Sequence, residues 1–203
     1  MKIILVIVML QLGTGLKLFS QGHEPRAATD FAQLVLSEVN LLRTNPKQYA
    51  MLRLKNEYIS KTDNGAWRYL NQIKAMDSLR ISNTLSELAS SYARLISFRK
   101  TLSHNLDGTP LARAKKVGYT GMVGQNLAAS SDDKFNALLV PDSAAVGFVK
   151  MLVIDKGVPG EGHRHILTEP RFTEIGIGFY RDADDKLKNY FVQEFGHRFS
   201  SGK

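Results

Sequence analysis

The chain has no cysteine, a single tryptophan and six prolines among its 203 residues. Without thiols it forms no disulfide, builds no thiolate metal centre and carries no lipid on a cysteine. Long apolar runs are equally scarce. The most apolar stretch, Ile3–Leu10 behind Lys2, is eight residues long. A helix needs ~20 to cross a bilayer. A basic start, a short apolar run and the small residues Gly13, Thr14 and Gly15 describe a secretory signal peptide. Cleavage is expected after Ser20, with Gly13–Gly15 as a second place for the cut, and an uncleaved amphipathic anchor is the competing reading. Residues 1–20 are therefore read as signal peptide, 21–27 as a flexible lead-in and 28–203 as one domain. A domain of that size can rely on its core without covalent staples. Secreted eukaryotic domains are usually disulfide-stapled, so a cysteine-free exported chain points to a bacterial source and a periplasmic or extracellular location.

Twenty-seven Lys and Arg face nineteen Asp and Glu, a net charge of +8. Losing residues 1–20 removes Lys2 and Lys17 and no acid, which leaves +6. The basic residues are scattered (Arg94, Arg99, Lys100; Arg113, Lys115, Lys116; Arg181, Lys186, Lys188) and no aromatics interleave with them. A stacking platform for bases is therefore missing, and nucleic acid is not the expected partner. The charge reads as a solvated surface attracted to anionic cell envelopes.

From Thr29 the pattern is helical: Phe31, Leu34, Val35, Val39 and Leu42 recur at mostly three- and four-residue steps. Asn45-Pro46 ends that helix and starts a second, expected to run to about Ile59. Asp63-Asn64-Gly65 is a turn, and a helix is predicted over Trp67–Leu79. Thr84 with Glu87 reads as a capping box opening a helix that buries Leu85, Leu88, Ala89, Tyr92 and Ile96. Asp107-Gly108 predicts a turn, and Thr109-Pro110 caps a short helix carrying Arg113. A further helix is predicted over Ser143–Ile154. Glu174–Tyr180 and Tyr190–Phe195 alternate around the polar loop Asp182–Lys188, a β-hairpin, and a third short strand near Gln125–Ala129 would complete a small antiparallel sheet. Helices precede most of the strands, so the class is α+β, with helices flanking that sheet.

Three stretches, in order and spacing, carry a family resemblance. The first is Ser103-His104-Asn105-Leu106-Asp107-Gly108-Thr109-Pro110, continuing through Arg113 to Gly118-Tyr119. The second is Gly124-Gln125-Asn126-Leu127-Ala128. The third is Gly162-His163-Arg164, followed by Pro170, Phe172, Ile175-Gly176-Ile177-Gly178 and finally Gln193, Phe195 and Gly196. Together they resemble the CAP superfamily, the cysteine-rich secretory protein/antigen 5/pathogenesis-related group or SCP domain, in its cysteine-free bacterial branch, across Phe31–Gly196. The resemblance implies an α-β-α sandwich with a central cleft, lined in the family by two histidines and two acids able to hold a divalent cation.

His104 and His163 match the two histidines, and neutral imidazoles are sound halves of a zinc site. Gln125 stands where the resemblance implies glutamate. It keeps a carbonyl acceptor and two amide donors but carries no charge. Asp155 is the nearby carboxylate for the second acid, with Glu161 the other candidate, and Asn126 belongs to the same cleft. A divalent cation such as zinc is therefore expected to bind weakly or not at all, and Gln125→Glu to strengthen its binding. His165, His197 and His23 read as incidental, and Arg164 as a loop pin paired with a carboxylate. No Gly-x-Ser-x-Gly elbow, His-Glu-x-x-His pair or phosphate-cradling loop occurs. The leading expectation is a monomeric, non-enzymatic extracellular module binding a lipid, sterol or cell-surface component. The alternative is a metal-dependent hydrolase with His104 and His163 on the ion and Asp155 or Glu161 as base.

Overall fold

The computed structural model describes residues 24–199. The expected signal peptide and its cleavage site, the start of the expected lead-in and His23 lie outside the described residues. A long first helix, α1 (Glu24–Thr44), starts within the expected lead-in. Phe31, Val35, Val39 and Leu42 form its buried stripe. Pro46 opens α2 (Pro46–Tyr49), which passes through a π-helical turn, Ala50–Leu54, into α3 (Lys55–Ile59).

After the turn at Asp63–Gly65, α4 spans only Ala66–Gln72, so the helix expected to reach Leu79 stops seven residues early. The cause lies on α1, whose side chains satisfy the extended backbone that follows. Asn40 Oδ1 accepts from the Leu79 N–H at 2.7 Å, and Arg43 Nε donates to the Asp77 carbonyl at 3.0 Å. Arg43 also donates to the carbonyls of Leu167, Glu169 and Phe172. A fully buried guanidinium thus ties three segments together.

The two-residue strand β1 (Arg80–Ile81) leads into α5 (Asn83–Phe98). Ser82, not Thr84, caps α5 by accepting from the Leu85 N–H. Ser82 also donates its own N–H to the Ile175 carbonyl, so the sheet fixes where the helix begins. Thr109 and Pro110 start α6 (Pro110–Lys116) as expected. Then come β2 (Gly121–Ser130), α7 (Pro141–Ile154), α8 (Gly162–Leu167), β3 (Glu174–Arg181) and β4 (Asn189–Arg198).

The sheet order is β1-β3-β4-β2. β4 pairs antiparallel with β3 and β2, whereas β1 runs parallel to β3, so the sheet is mixed and not purely antiparallel. One face packs on α5: Leu127, Tyr190 and Val192 meet Ala89, Tyr92, Ala93 and Ile96. The other packs on α1 and α7: Ala128, Phe191 and Phe195 meet Phe31, Val35 and Phe148. Helices therefore cover both faces in an α-β-α arrangement, and β2 lies at a sheet edge. None of the described helices is long and apolar enough to cross a membrane.

Candidate functional site

Period-two alternation sets the site's geometry. Gln125 pairs across β4 with Glu194, and Asn126 with Gln193. Successive strand residues project to opposite faces. Gln125 and Glu194 lie on the α5 side with Leu127 and Val192, while Asn126 and Gln193 lie on the α1–α7 side.

On the α5 side a chain of hydrogen bonds begins at His104, in the loop between α5 and α6. His104 Nδ1 lies 2.8 Å from Gln125 Oε1, and Gln125 Nε2 donates to Glu194 Oε1 at 2.6 Å. Gln125 is 5% exposed and Glu194 1%. Burial pushes the Glu194 carboxyl up to about 7, an effect only partly offset by the Gln125 amide and the charge of Arg113. Arg113, on α6, is itself buried and holds its guanidinium 3.6 Å from the centre of the Tyr92 ring. Its Nη1 donates to the carbonyls of His104, at 2.8 Å, and Gly108, and to Asp107 Oδ1 at 3.2 Å. The Tyr92 hydroxyl donates to the Ser103 carbonyl at 2.7 Å and accepts from the Leu106 N–H at 3.2 Å. Arg113 and Tyr92 thereby hold the loop that carries His104.

On the other side, Asp155 ends α7 in the left-handed conformation, φ 54°. Its Oδ1 lies 2.7 Å from His163 Nδ1 and its Oδ2 accepts from the Arg164 N–H at 3.1 Å. Asn126 Nδ2 donates to the His163 carbonyl at 3.3 Å and to Gln193 Oε1 at 3.2 Å. Arg164 does pin this loop, but through the carbonyls of Val153, Ile154 and Asn64 and not through the expected carboxylate. The carbonyls exposed at the end of α7 are natural partners for a guanidinium.

The structure therefore joins the expected residues as two pairs, His104 with Gln125 and His163 with Asp155. No hydrogen bond or ion pair among the described residues links one pair to the other. Glu161 occupies a left-handed turn before α8, and its carboxylate enters none of the hydrogen bonds among the described residues. His165 is exposed, edge-on to Tyr69. His197 Nδ1 lies 3.4 Å from Thr173 Oγ1. Glu194 and Arg113 carried no sequence assignment as site residues. In Tyr190-Phe191-Val192-Gln193-Glu194-Phe195 both faces are covered, so alternation alone does not mark Glu194 as buried beside Gln125.

The donor set can be tested for a divalent cation. Among the described residues no group of three or more His, Asp or Glu is placed to hold one. Both Asp155 oxygens are engaged, and Glu194 Oε1 lies 3.9 Å from the Arg113 guanidinium, already a cation. What is left is two imidazoles, too little for a closed four-ligand site.

A groove of about 1030 Å³ runs along β2 beside α7 and reaches His163 and Asp155. Leu127, Phe135, Val146 and Met151 give it apolar walls, and Lys134, Lys150 and Lys156 lie on its lining. His104 does not line it.

The model of the cysteine-rich secretory protein family matches residues 36–195. No curated protein matches the chain. Among solved structures, the chain is similar to an outer surface protein from Borrelia burgdorferi at 21% identity, with 71% of this chain and 95% of that one covered and a TM-score of 0.47. It is also similar to venom allergen-like protein 4 from Schistosoma mansoni at 13% identity, covering 84% and 90%, with a TM-score of 0.47.

Proposed function

We propose, from the premise that this chain belongs to the cysteine-rich secretory protein family, that it is a non-enzymatic extracellular binding module whose groove along β2 accepts an amphiphile. The groove itself is the observation that carries the reading. Its walls at Leu127, Phe135, Val146 and Met151 suit an apolar body, and Lys156, the lining lysine with no ion pair among the described residues, suits an anionic end. Concave, mostly apolar sites with a few polar groups are the usual form of small-molecule pockets. Export rests on Lys2 and the run Ile3–Leu10, and intact mass of the secreted protein tests it: a start at or near Gln21 is expected.

The hydrolase reading needs a free carboxylate base beside an ion. Asp155 spends both oxygens on His163 and Arg164, so of the two expected bases only Glu161 is left for that reading. Titration with a fluorescent long-chain fatty acid tests the groove. Val146→Trp, which fills it from α7, is expected to lower affinity at least tenfold while the circular dichroism spectrum stays native. Unchanged binding in Val146→Trp would remove the groove from the reading, and chelator-sensitive ester hydrolysis by the wild type would replace it with the enzyme.

A further inference from the structure

Gln125 raises a question of chemistry. A glutamine amide can present either its oxygen or its nitrogen to a neighbouring imidazole, and the two choices impose opposite protonation patterns on the ring. If the oxygen faces His104 Nδ1, that nitrogen carries the hydrogen and Nε2 keeps its lone pair. If the amide nitrogen faces it, Nδ1 becomes the acceptor and Nε2 is protonated. Size and burial do not choose between them. The partner on the far side of the amide does.

That partner is Glu194 on the adjoining strand. Its Oε1 lies 2.6 Å from Gln125 Nε2. An ionised carboxylate only accepts hydrogen bonds, so in that form Glu194 draws the amide nitrogen toward itself and turns the amide oxygen toward His104. Register places the two side chains directly opposite each other on β2 and β4, so the contact is built into the sheet and not left to a loop. Arg113 Nη2, 3.9 Å from Oε1, keeps positive charge beside the carboxylate.

We infer that Glu194 is a positioning residue that acts through Gln125 to lock His104 as its Nδ1–H tautomer, holding Nε2 unprotonated as a lone-pair donor or acceptor. His163 receives the same treatment directly, because Asp155 Oδ1 accepts at its Nδ1. The two histidines thus end in matched tautomers by different routes, one through a carboxylate and one through an amide backed by a carboxylate on the next strand. The inference stands apart from the ligand groove, so either can fail without the other.

Nitrogen-15 NMR of the histidine rings, recorded above pH 8 where imidazoles are neutral, reads the tautomer directly. Wild type is expected to show His104 with Nδ1 protonated and Nε2 bare. Glu194→Met removes the acceptor at similar volume, and its His104 signal should lose that single signature and show both tautomers. Adding Gln125→Glu to Glu194→Met should restore the pure Nδ1–H form, since a carboxylate then accepts from His104 directly. A role for Glu194 in packing alone would give no such rescue. Should Glu194→Met fail to fold, the exchange Gln125→Glu with Glu194→Gln keeps one acid and one amide in the pair and must retain the Nδ1–H tautomer. An Nε2–H tautomer in wild type or in the exchange variant, or an unchanged tautomer in folded Glu194→Met, overturns the inference.

Discussion

Two buried glutamates of the sheet, Glu174 on β3 and Glu194 on β4, are driven in opposite directions by their surroundings. Burial pushes both carboxyls up. At Glu174 the Tyr119 hydroxyl donates at 2.8 Å and Arg80 at 3.0 Å, and with Arg198 nearby these outweigh burial and leave the carboxyl below its ordinary value. At Glu194 one amide and a guanidinium 3.9 Å away do not, and the carboxyl rises from 4.5 to about 7. The sign of the consequence follows from proton binding. Between pH 4.5 and 7 the folded state holds a proton at Glu194 that the unfolded chain has released. Stability contributed by this group is therefore fully present below 4.5 and is lost as pH rises through 7. Relative to Glu194→Gln, wild type should gain at most about 3 kcal/mol on acidification through that window. Urea unfolding of both proteins at several pH values measures it, and parallel stability curves would contradict the assigned charge state. The same residue changes what Gln125→Glu can do. The new carboxylate would meet Glu194 across 2.6 Å, and two acids that close share one proton instead of adding a charge. The gain in zinc affinity expected from that substitution should therefore not appear, and calorimetric zinc titration of Gln125→Glu checks it.

At the scale of elements, close approach decides where α5 lies. A Cβ added to Gly176 would fall 2.0 Å from the Leu85 backbone, and one added to Gly178 would fall 2.2 Å from the Ala89 backbone. Neither neighbour is a flexible side-chain tip, so the helix would have to lift off β3. Gly178→Ala is expected to destabilise by about 3 kcal/mol, the upper end for overpacking. Denaturant unfolding would show it, and a change below about 1 kcal/mol would mean that α5 and β3 separate without cost. Those glycines were legible in the chain as part of the Ile-Gly-Ile-Gly run, and the hairpin they belong to was read correctly. Where reading failed, a tertiary partner had displaced a local signal. Thr84 and Glu87 form a plausible capping box, but Ser82 is held by the sheet and caps first. Lys74–Leu79 looks as helical as what precedes it, until Asn40 and Arg43 of α1 claim its backbone. Motif order names His104, Gln125, His163 and Asp155 as members of one cleft, but not their division into two separate pairs, His104 with Gln125 and His163 with Asp155. Glu194 was not, because its role depends on strand register, which alternation within one strand does not reveal.

For the molecule as a whole, a net charge of +8, or +6 without residues 1–20, acts on any ligand approaching the groove. The three lysines on that groove are not equivalent. Lys150 is paired with Glu57 at 2.7 Å and Lys134 with Asp132 at 2.8 Å, whereas Lys156 makes no ion pair among the described residues. Lys156 is also exposed and follows Asp155 directly, so its charge stands at the His163 end of the groove. An anionic ligand should feel it most. Exposed charge pairs contribute roughly 0.2–1 kcal/mol, so Lys156→Gln should weaken binding of a long-chain fatty acid about threefold at low ionic strength. The difference should vanish near 1 M salt, where the screening length falls to about 3 Å. Binding of an uncharged alcohol of the same chain length should be insensitive to both the substitution and the salt. Calorimetry of the acid and the alcohol, each at low and high salt, separates the contributions of charge and apolar wall. Equal affinity of wild type for both ligands at low salt would show that the lysines are solvated surface and that the groove selects its ligand by shape alone.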